Sequence, residues 1–234
     1  MANEAVPFLT HEGTALHKFP SGDAYFYVTE HMAVDADGAP NAYHPQDTGL
    51  DANANAGFPR GGWKSVLAVD PHDATKPFVQ TDGPHAGFFV SKTTLQDPTL
   101  AEIDPRRYVD STGIPYLVFP GGFRTLTGTG NIGDLAMARN LQSGRTTAAI
   151  VADVGPTHAP LGEVSIRLAE NLGGANVNPR NGRGMPRGPF LYVVFPKSKA
   201  SPAWPLTAVE IDARATAALT AIGGWDRILA SVGR

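Results

Sequence analysis

Glycine and proline recur along the whole of this sequence and limit what it can fold into. The 234 residues include 26 glycines and 20 prolines, which is about a fifth of the chain. Proline breaks the interior of a helix and glycine weakens both helices and strands, so long uninterrupted helices are excluded. Short strands joined by many turns suit such a chain better. We therefore predict a mainly β protein.

The rest of the composition narrows the class of protein. Hydrophobic residues make up 42% of the chain, enough for one sizeable core, so a single domain over residues 1–234 is predicted. Cysteine is absent, which excludes disulfides, thiolate zinc sites and a cysteine nucleophile. A net charge of -3 offers no basic surface for nucleic acid. No apolar run reaches the roughly 18 residues that a membrane span needs.

Runs of β-branched and aromatic residues between turn signals predict the strands. We expect the first strand within residues 22–33, followed by a long irregular stretch from Val34 to Gly62. The other predicted strands are Ser65 to Val69, Phe78 to Gln80, Gly87 to Ser91, Tyr116 to Phe119, Leu135 to Arg139, Thr146 to Asp153, Val164 to Ile166 and Phe190 to Phe195.

Two segments have the spacing of helices. Residues 165–172 predict one short helix, and residues 213–231 predict another in two pieces, because Gly223 and Gly224 interrupt it. Together with the strands, they predict a barrel or open barrel with peripheral short helices and long loops.

Two carboxylates flank a turn in the middle of the chain. Asp153 ends the apolar strand that starts at Thr146, and Glu163 begins the next apolar segment, after a loop that opens with Val-Gly-Pro. Glycosidases use such a pair, because one carboxyl group protonates the leaving oxygen and the other acts on the opposite face of the sugar. The same residues also suit a turn and a solvated strand edge. Spacing alone leaves both interpretations open.

A longer pattern around these acids resembles glycoside hydrolase family 75, the fungal-type chitosanases and their bacterial relatives. Residues 149–153 read Ala-Ile-Val-Ala-Asp, and residues 162–169 read Gly-Glu-Val-Ser-Ile-Arg-Leu-Ala. In the family, a strand ending in Gly-Asp precedes a glycine-rich loop, then Gly-Glu-(Ala/Gly)-Ser-Ile and a short Leu-Ala helix. Further likenesses are the strands at 114–119 and 191–195 and the segment Asp-Ala-Asp-Gly-Ala-Pro at 35–40. The resemblance covers about residues 23–196 and leaves a helical C-terminal tail at 207–234.

The resemblance implies a reaction. It implies an endo-acting hydrolase of β-1,4-linked glucosamine polymer (chitosan) with an inverting mechanism, and its two essential acids fall on Asp153 and Glu163. Such a mechanism requires the carboxyl groups to stand about 6.5 to 9.5 Å apart. Asp153 is the favoured general acid and Glu163 the general base, with the reverse assignment left open. A peptidoglycan-cleaving hydrolase and a non-catalytic carbohydrate-binding protein on the same fold are the alternatives.

The same segment resembles, more faintly, the double-psi β-barrel of murein lytic transglycosylases and some endoglucanases, which implies a six-stranded barrel core. The chain also departs from the fungal enzymes. It has no cysteine, Ala152 replaces the glycine before the first acid, and the loop between the acids holds Pro156, His158 and Pro160. We therefore expect different subsites and a different preferred sugar.

Four further side chains are candidates for binding the substrate. Asp35 and Asp37 suit the amino groups of glucosamine through charge-assisted hydrogen bonds, and they equally suit a turn. The Asp-x-Asp-Gly opening of a calcium loop is present, but its twelfth position holds Gln46 instead of Glu, so we predict no metal and no cofactor. Asp134 and His158 are predicted to contact substrate, with a turn role or a solvated role as the alternative.

The family likeness also bears on location and partners. The fungal enzymes are secreted, which implies export, whereas residues 1–9 lack the basic start and apolar stretch of a secretion signal. That leaves a cytoplasmic location open. A polysaccharide substrate is the one partner that we predict, and a monomer is the favoured state.

Overall fold

The computed structural model describes residues 4–53 and 55–233 of the chain. Within them the protein is mainly β, as predicted, with one large mixed sheet and a few short helices. The strands of the described residues are β1 (Val6–His11), β2 (Thr14–Lys18), β3 (Tyr25–Thr29), β4 (Ala33–Asp35), β5 (Val69–Asp70), β6 (Asp73–Pro77), β7 (Tyr116–Pro120), β8 (Leu135–Asn140), β9 (Thr146–Gly155), β10 (Glu163–Ser165) and β11 (Phe190–Phe195).

The large sheet has the strand order β1-β2-β3-β11-β8-β9-β7-β10-β4, and β5 pairs separately with β6. β7 is parallel to β9, and β4 is parallel to β10. The other neighbours in the large sheet are antiparallel. The strands that contain the two candidate acids, β9 and β10, therefore lie on either side of β7.

The sheet has to curl, because β3 and β4 are close in the chain but distant in the strand order. β3 ends at Thr29 and β4 begins at Ala33, a connection that spans at most about 14 Å. The strand order passes through β11, β8, β9, β7 and β10 between them, which in a flat sheet would separate them by about 29 Å. Gly162, just before β10, accordingly lies against the end of β3, and a Cβ atom there would be 3.3 Å from Thr29 Cγ2. Curvature thus brings the start of β10 back towards β3.

Five α-helices lie within the described residues: α1 (Trp63–Val66), α2 (Gly121–Arg124), α3 (Ile166–Asn171), α4 (Ala208–Ala221) and α5 (Gly224–Ser231). Helix α3 begins after Ser165, whose hydroxyl oxygen accepts a hydrogen bond from the Leu168 N–H at 3.1 Å. Helix α4 begins with a reciprocal cap between Thr207 and Glu210, earlier than the predicted residue 213. Gly223, with φ of 98°, separates α4 from α5, so the predicted break is confirmed. In the described part of the chain, no helix combines the length and apolar character needed to cross a bilayer.

The two faces of the sheet bury two hydrophobic clusters. Along β9, Ala149 and Val151 belong to one cluster, whereas Ala148, Ile150 and Ala152 belong to the other. Residues of α4 and α5 pack into the second cluster, and residues of α3 and the long loop after β4 pack into the first. Because both faces are covered, β9 reads as a continuous apolar run rather than an alternating one.

The structure corrects several features of the predicted strand set. The predicted strands Phe78 to Gln80 and Gly87 to Ser91 form only isolated bridges, Val79 with Phe89 and Leu67 with Ser91. The segment Ser65 to Val69 is not a strand, because residues 63–66 form helix α1, which buries the Trp63 side chain. The strand at 25–29 is not the first, since the hairpin β1–β2 precedes it. A tight turn at Glu12 and Gly13, both with positive φ, joins the hairpin strands, and glutamate is an uncommon residue for that backbone conformation. That atypical turn residue concealed the hairpin.

A bulge in β9 lies directly before the first candidate acid. Leu117 of β7 is opposite Val151, and the next residue, Val118, is opposite Asp153, so Ala152 is the extra residue. A bulge bends the strand and re-aims the side chains that follow it. Asp153 is the first residue after the bulge.

Candidate active site

The β9–β7–β10 arrangement brings Asp153 and Glu163 to the same region. Asp153 pairs with Val118 of β7, and Val164, next to Glu163, pairs with Leu117 of the same strand. The Glu163 carboxyl group extends over the end of β9. A Cβ atom at Gly155 would be 2.8 Å from Glu163 Oε2. Glycine at this position therefore leaves the space that the second acid occupies.

Strand β4 adds two more carboxylates. It runs parallel to β10, so that Asp35 pairs with Ser165, and Asp37 follows two residues later. One carboxylate oxygen from each of Asp35, Asp37 and Asp153 lies within 4.8 Å of the other two. Two of the predicted substrate-binding residues are thus brought against the first candidate acid, although more than a hundred residues separate them in the chain.

Hydroxyl groups that the sequence analysis did not single out hold these two aspartates. The Tyr116 hydroxyl donates to Asp35 Oδ2 at 2.9 Å and lies 2.9 Å from the Asp37 carbonyl oxygen. The Ser91 hydroxyl donates to Asp37 Oδ1 at 3.1 Å, and the Ser111 hydroxyl donates to the Asp35 carbonyl oxygen. Tyr116 is fully buried in β7. Its place in the strand at 114–119, one of the family likenesses, was the signal in the sequence that could have found it.

One oxygen of Asp153 is held by three donors. Asp153 Oδ1 accepts the Thr94 N–H at 3.0 Å, the Thr94 hydroxyl at 2.6 Å and the Val154 N–H at 2.8 Å. Such donors favour the ionised form of a carboxyl group. They also fix its orientation and leave Oδ2 outside this set of bonds. Thr94 lies in an irregular segment and had no local signal in the sequence.

Burial raises the pKa of all four groups, and repulsion from neighbouring carboxylates adds to the effect at Asp35, Asp37 and Glu163. Burial, with the nearby charge of Asp153 and then of Asp51, raises the pKa of Glu163 to about 7. Burial raises the pKa of Asp153, and the three hydrogen bonds on Oδ1 act in the opposite direction. Burial and the other carboxylates raise the pKa of Asp35 and of Asp37 well above the usual range. At neutral pH this group of acids therefore retains protons that isolated carboxyls would have lost.

The two candidate acids therefore differ in a way that separates their roles. Glu163 is half-buried, and with a pKa of about 7 it can carry a proton at neutral pH. Asp153 is buried but has three hydrogen-bond donors on one oxygen, which stabilise its anion. Burial raises the pKa of both groups, but hydrogen-bond donors oppose the rise at Asp153, and such a difference in environment is typical of an acid–base pair.

The cluster has no cationic side chain of its own in the described residues. The neighbouring charges that raise the pKa of Asp35, Asp37 and Glu163 are those of other carboxylates. Buried charges are normally paired, because an isolated one loses its hydration. Protons, a cationic ligand or a hard metal ion held by Asp35, Asp37 and Asp153 would each relieve the repulsion.

A fifth carboxyl group, Asp51, belongs to the same site. Its charge contributes to the raised pKa of both Glu163 and Asp37. Arg180 supports the loop that carries it, since Nη1 donates to the carbonyl oxygens of Asp47 at 2.7 Å and Gly49 at 3.2 Å. The glycine-rich segment around Arg180 is therefore tied to the long loop after β4.

The structure places Asp134 in a different setting. Its side chain is fully buried, Oδ2 accepts the Asn131 N–H at 2.7 Å and Oδ1 accepts the Lys199 N–H at 2.9 Å. Its charge is not among those that act on Asp153 or Glu163. This carboxylate joins the loop before β8 to the segment after β11, which is the turn role that the sequence left open.

His158 lies at the outside of the loop between the two acids. Its side chain is 87% exposed, and Nδ1 is 3.4 Å from Glu12 Oε1 in the β1–β2 turn. Next to it, the Ala159 carbonyl oxygen lies 3.1 Å from His11 Nε2. The contacts of His158 thus attach the loop to the hairpin, and they do not reach the carboxylate cluster.

No family model matches the chain, and no curated protein matches it either.

Proposed function

We propose that this chain is a glycoside hydrolase that cleaves β-1,4-linked glucosamine polymer by an inverting mechanism, as a bacterial-type relative of the family 75 chitosanases. One observation carries the proposal: a carboxyl group with a pKa of about 7, Glu163, lies near Asp153, whose carboxylate is grouped with those of Asp35 and Asp37. The pair supplies the proton donor and the base, and the cluster suits a positively charged sugar.

Glu163 acts as the general acid and Asp153 as the general base. Glu163 donates its proton to the leaving glycosidic oxygen, and the ionised Asp153 accepts a proton from the water that attacks the anomeric carbon from the opposite face. This is the reverse of the order that the sequence favoured. The reason is that Glu163 is the group with the pKa near neutrality, whereas three donors stabilise the anion of Asp153.

Asp35, Asp37 and Asp51 bind the ammonium groups of the polymer. A glucosamine cation placed among them relieves the carboxylate repulsion that contributes to the raised pKa of Asp35 and of Asp37. Burial raises the pKa of Asp51, and the nearby charge of Arg180 opposes that rise. An N-acetylated sugar carries no such charge, so the site favours deacetylated chains over peptidoglycan. The negative charge of these carboxylates also fits a polysaccharide partner with positive charges better than it fits nucleic acid, which is negatively charged.

The finer architecture belongs to the same proposal. A six-stranded double-psi barrel core is supported by the curl of the sheet and by its two parallel pairs, β7–β9 and β4–β10. Export from the cell follows from the substrate, because a glucosamine polymer is too large to enter intact.

The test is release of reducing ends from chitosan by the wild type, Asp153→Asn and Glu163→Gln. We expect turnover by the wild type and a loss of about a thousandfold or more in each variant, with Asp212→Asn and Glu102→Gln as surface controls that keep full activity. NMR of the first product should show the α-anomer, since an inverting enzyme converts a β linkage.

Three results would contradict the proposal. Cleavage of purified peptidoglycan but not of chitosan would make the protein a cell-wall hydrolase. Saturable binding of chitosan with no product would make it a non-catalytic carbohydrate-binding protein. Loss of activity on treatment with a chelator, with recovery on adding a divalent cation, would show that Asp35, Asp37 and Asp153 hold a metal instead of the sugar ammonium.

A further inference from the structure

A groove separate from the carboxylate cluster lies between two loops of the chain. One wall comes from residues 78 and 80–85, the other comes from residues 101, 103–106, 108 and 110, and Gly38 and Pro40 also line it. Its volume is about 790 Å³, which is in the range of pockets that bind small ligands, about 300 to 1,000 Å³.

The groove adjoins the candidate active site along the chain. Gly38 directly follows Asp37, and the Gly38 N–H donates to the Ser91 hydroxyl that also binds the Asp37 carboxylate. Asp110, on the second wall, directly precedes Ser111, whose hydroxyl donates to the Asp35 carbonyl oxygen. In the chain, one lining residue is thus next to Asp37 of the cluster and another is next to Ser111, which holds Asp35.

The lining carries uncompensated negative charge. Asp104 is paired with Arg106, whose Nη2 lies 2.6 Å from Asp104 Oδ2. Asp82 is exposed and makes no hydrogen bond or ion pair within the described residues. Asp110 accepts two bonds from Thr112 on Oδ1, both at 2.8 Å, and these leave Oδ2 available. The groove therefore keeps two carboxylates without a basic partner.

Apolar surface accompanies these charges. Pro40, Phe78 and Ile103 line the groove and are each half-buried, so part of each side chain faces the solvent. Apolar faces with a few directed polar groups are the usual composition of a ligand pocket. Sugar rings present apolar faces and polar edges, and glucosamine adds a positive charge at one edge.

From this continuity and charge complementarity, we infer that the groove binds glucosamine residues of the polymer at a distance from the cleaved bond. The inference rests on the proposed function for the choice of polymer. Asp82 and Asp110 contact the ammonium groups, and the apolar side chains contact the faces of the sugar rings. The groove is thus a determinant of substrate length and of deacetylation.

Binding of a glucosamine hexamer, measured by calorimetry in the inactive Glu163→Gln protein, tests this. The double substitution Asp82→Asn and Asp110→Asn should weaken binding about five- to tenfold, because two charge-assisted contacts are lost. Asparagine preserves the turn at position 110, so the fold should survive. Arg106→Gln releases Asp104 and should tighten binding about twofold. Asp212→Asn on helix α4 removes one charge far along the chain and serves as the control.

Two comparisons decide the outcome. The neutral N-acetylated hexamer should bind equally to the parent and the double variant, and in the active protein the double variant should lose kcat/KM on long chains but not on the shortest oligomer that is cleaved. Hexamer binding equal to that of the Asp212→Asn control would overturn the inference. The proposed function fails separately, if the wild type releases no reducing ends from chitosan.

Discussion

Asp134 and Asp153 are both buried carboxylates at the ends of neighbouring strands, and the sequence marked both as site residues. Both oxygens of Asp134 accept backbone N–H groups, from Lys199 and Asn131. Asp153 has three donors on one oxygen only, and its neighbours Asp35 and Asp37 are also acids. The contrast shows that burial alone does not mark a functional carboxylate. A group of several carboxylates close together, with raised pKa values, is the better mark, because perturbed pKa values cluster at functional sites.

The largest expected effect, a loss of activity, comes from comparing asparagine substitutions at Asp153 and Asp134. Asp153→Asn should lower kcat on chitosan about a thousandfold or more, because the base is lost, and it should leave stability nearly unchanged or slightly higher. Asp134→Asn should keep kcat per folded molecule but lower the free energy of unfolding by about 1 to 3 kcal/mol, because the amide NH₂ group faces a backbone donor. Chemical denaturation and initial rates on the same preparations measure both. A catalytic loss in Asp134→Asn, with its stability intact, would reverse the comparison.

The second prediction concerns the pH dependence of stability. The pKa of Glu163 rises from 4.5 to about 7 on folding, so its ionisation opposes folding as the pH rises between those values. Below the lower value the group is protonated in both states and costs nothing, and above the higher one the cost is constant. Glu163→Gln should therefore stabilise the protein by about 1 to 2 kcal/mol at pH 8, with little change at pH 4.

Thermal or urea unfolding at the two pH values measures this effect. Glu102→Gln, an exposed substitution of the same kind, is the matched control and should change stability little at either pH. Equal stability of wild type and Glu163→Gln at pH 8 would mean that folding does not raise the pKa of Glu163.

The smallest expected effect concerns the position of Asp153. Thr94→Val removes the hydroxyl donor to Asp153 Oδ1, so the pKa of Asp153 should rise. Because the base must be ionised, the acidic limb of kcat/KM against pH should move up by about half a unit to one unit. Thr94→Ser retains the hydroxyl and should restore the wild-type profile. A general fall in rate without any movement of the limb would give Thr94 a purely structural role.

Much of the fold followed from local patterns. The strands at 116–119, 135–139, 146–153 and 190–195 and the break at Gly223 were all predictable, because each depends on the residues of its own segment. The hairpin β1–β2 was not predicted, since an uncommon turn residue hid it, and helix α1 was read as a strand because an isolated short apolar segment fits either structure.

The candidate site, like the fold, could be predicted from local patterns only in part. Asp153 and Glu163 could be selected from one continuous segment, and Asp35 and Asp37 from another. That the two segments meet depends on the pairing of β4 with β10, which no local pattern encodes. Thr94, Ser91 and Tyr116 act on carboxylates far from them in the chain, so they become visible only after folding.

The sequence by itself therefore determined the β class, through its glycines and prolines, and the pair of acids, through the pattern around them. Only the tertiary structure separated Asp153 from Asp134 and assigned the raised pKa to Glu163. The physical reason is that residue type and spacing fix local conformation, whereas the acidity of a carboxyl group depends on burial, donors and neighbouring charges. Those are set by the curl of the sheet, which brings residues from several strands and loops to one site.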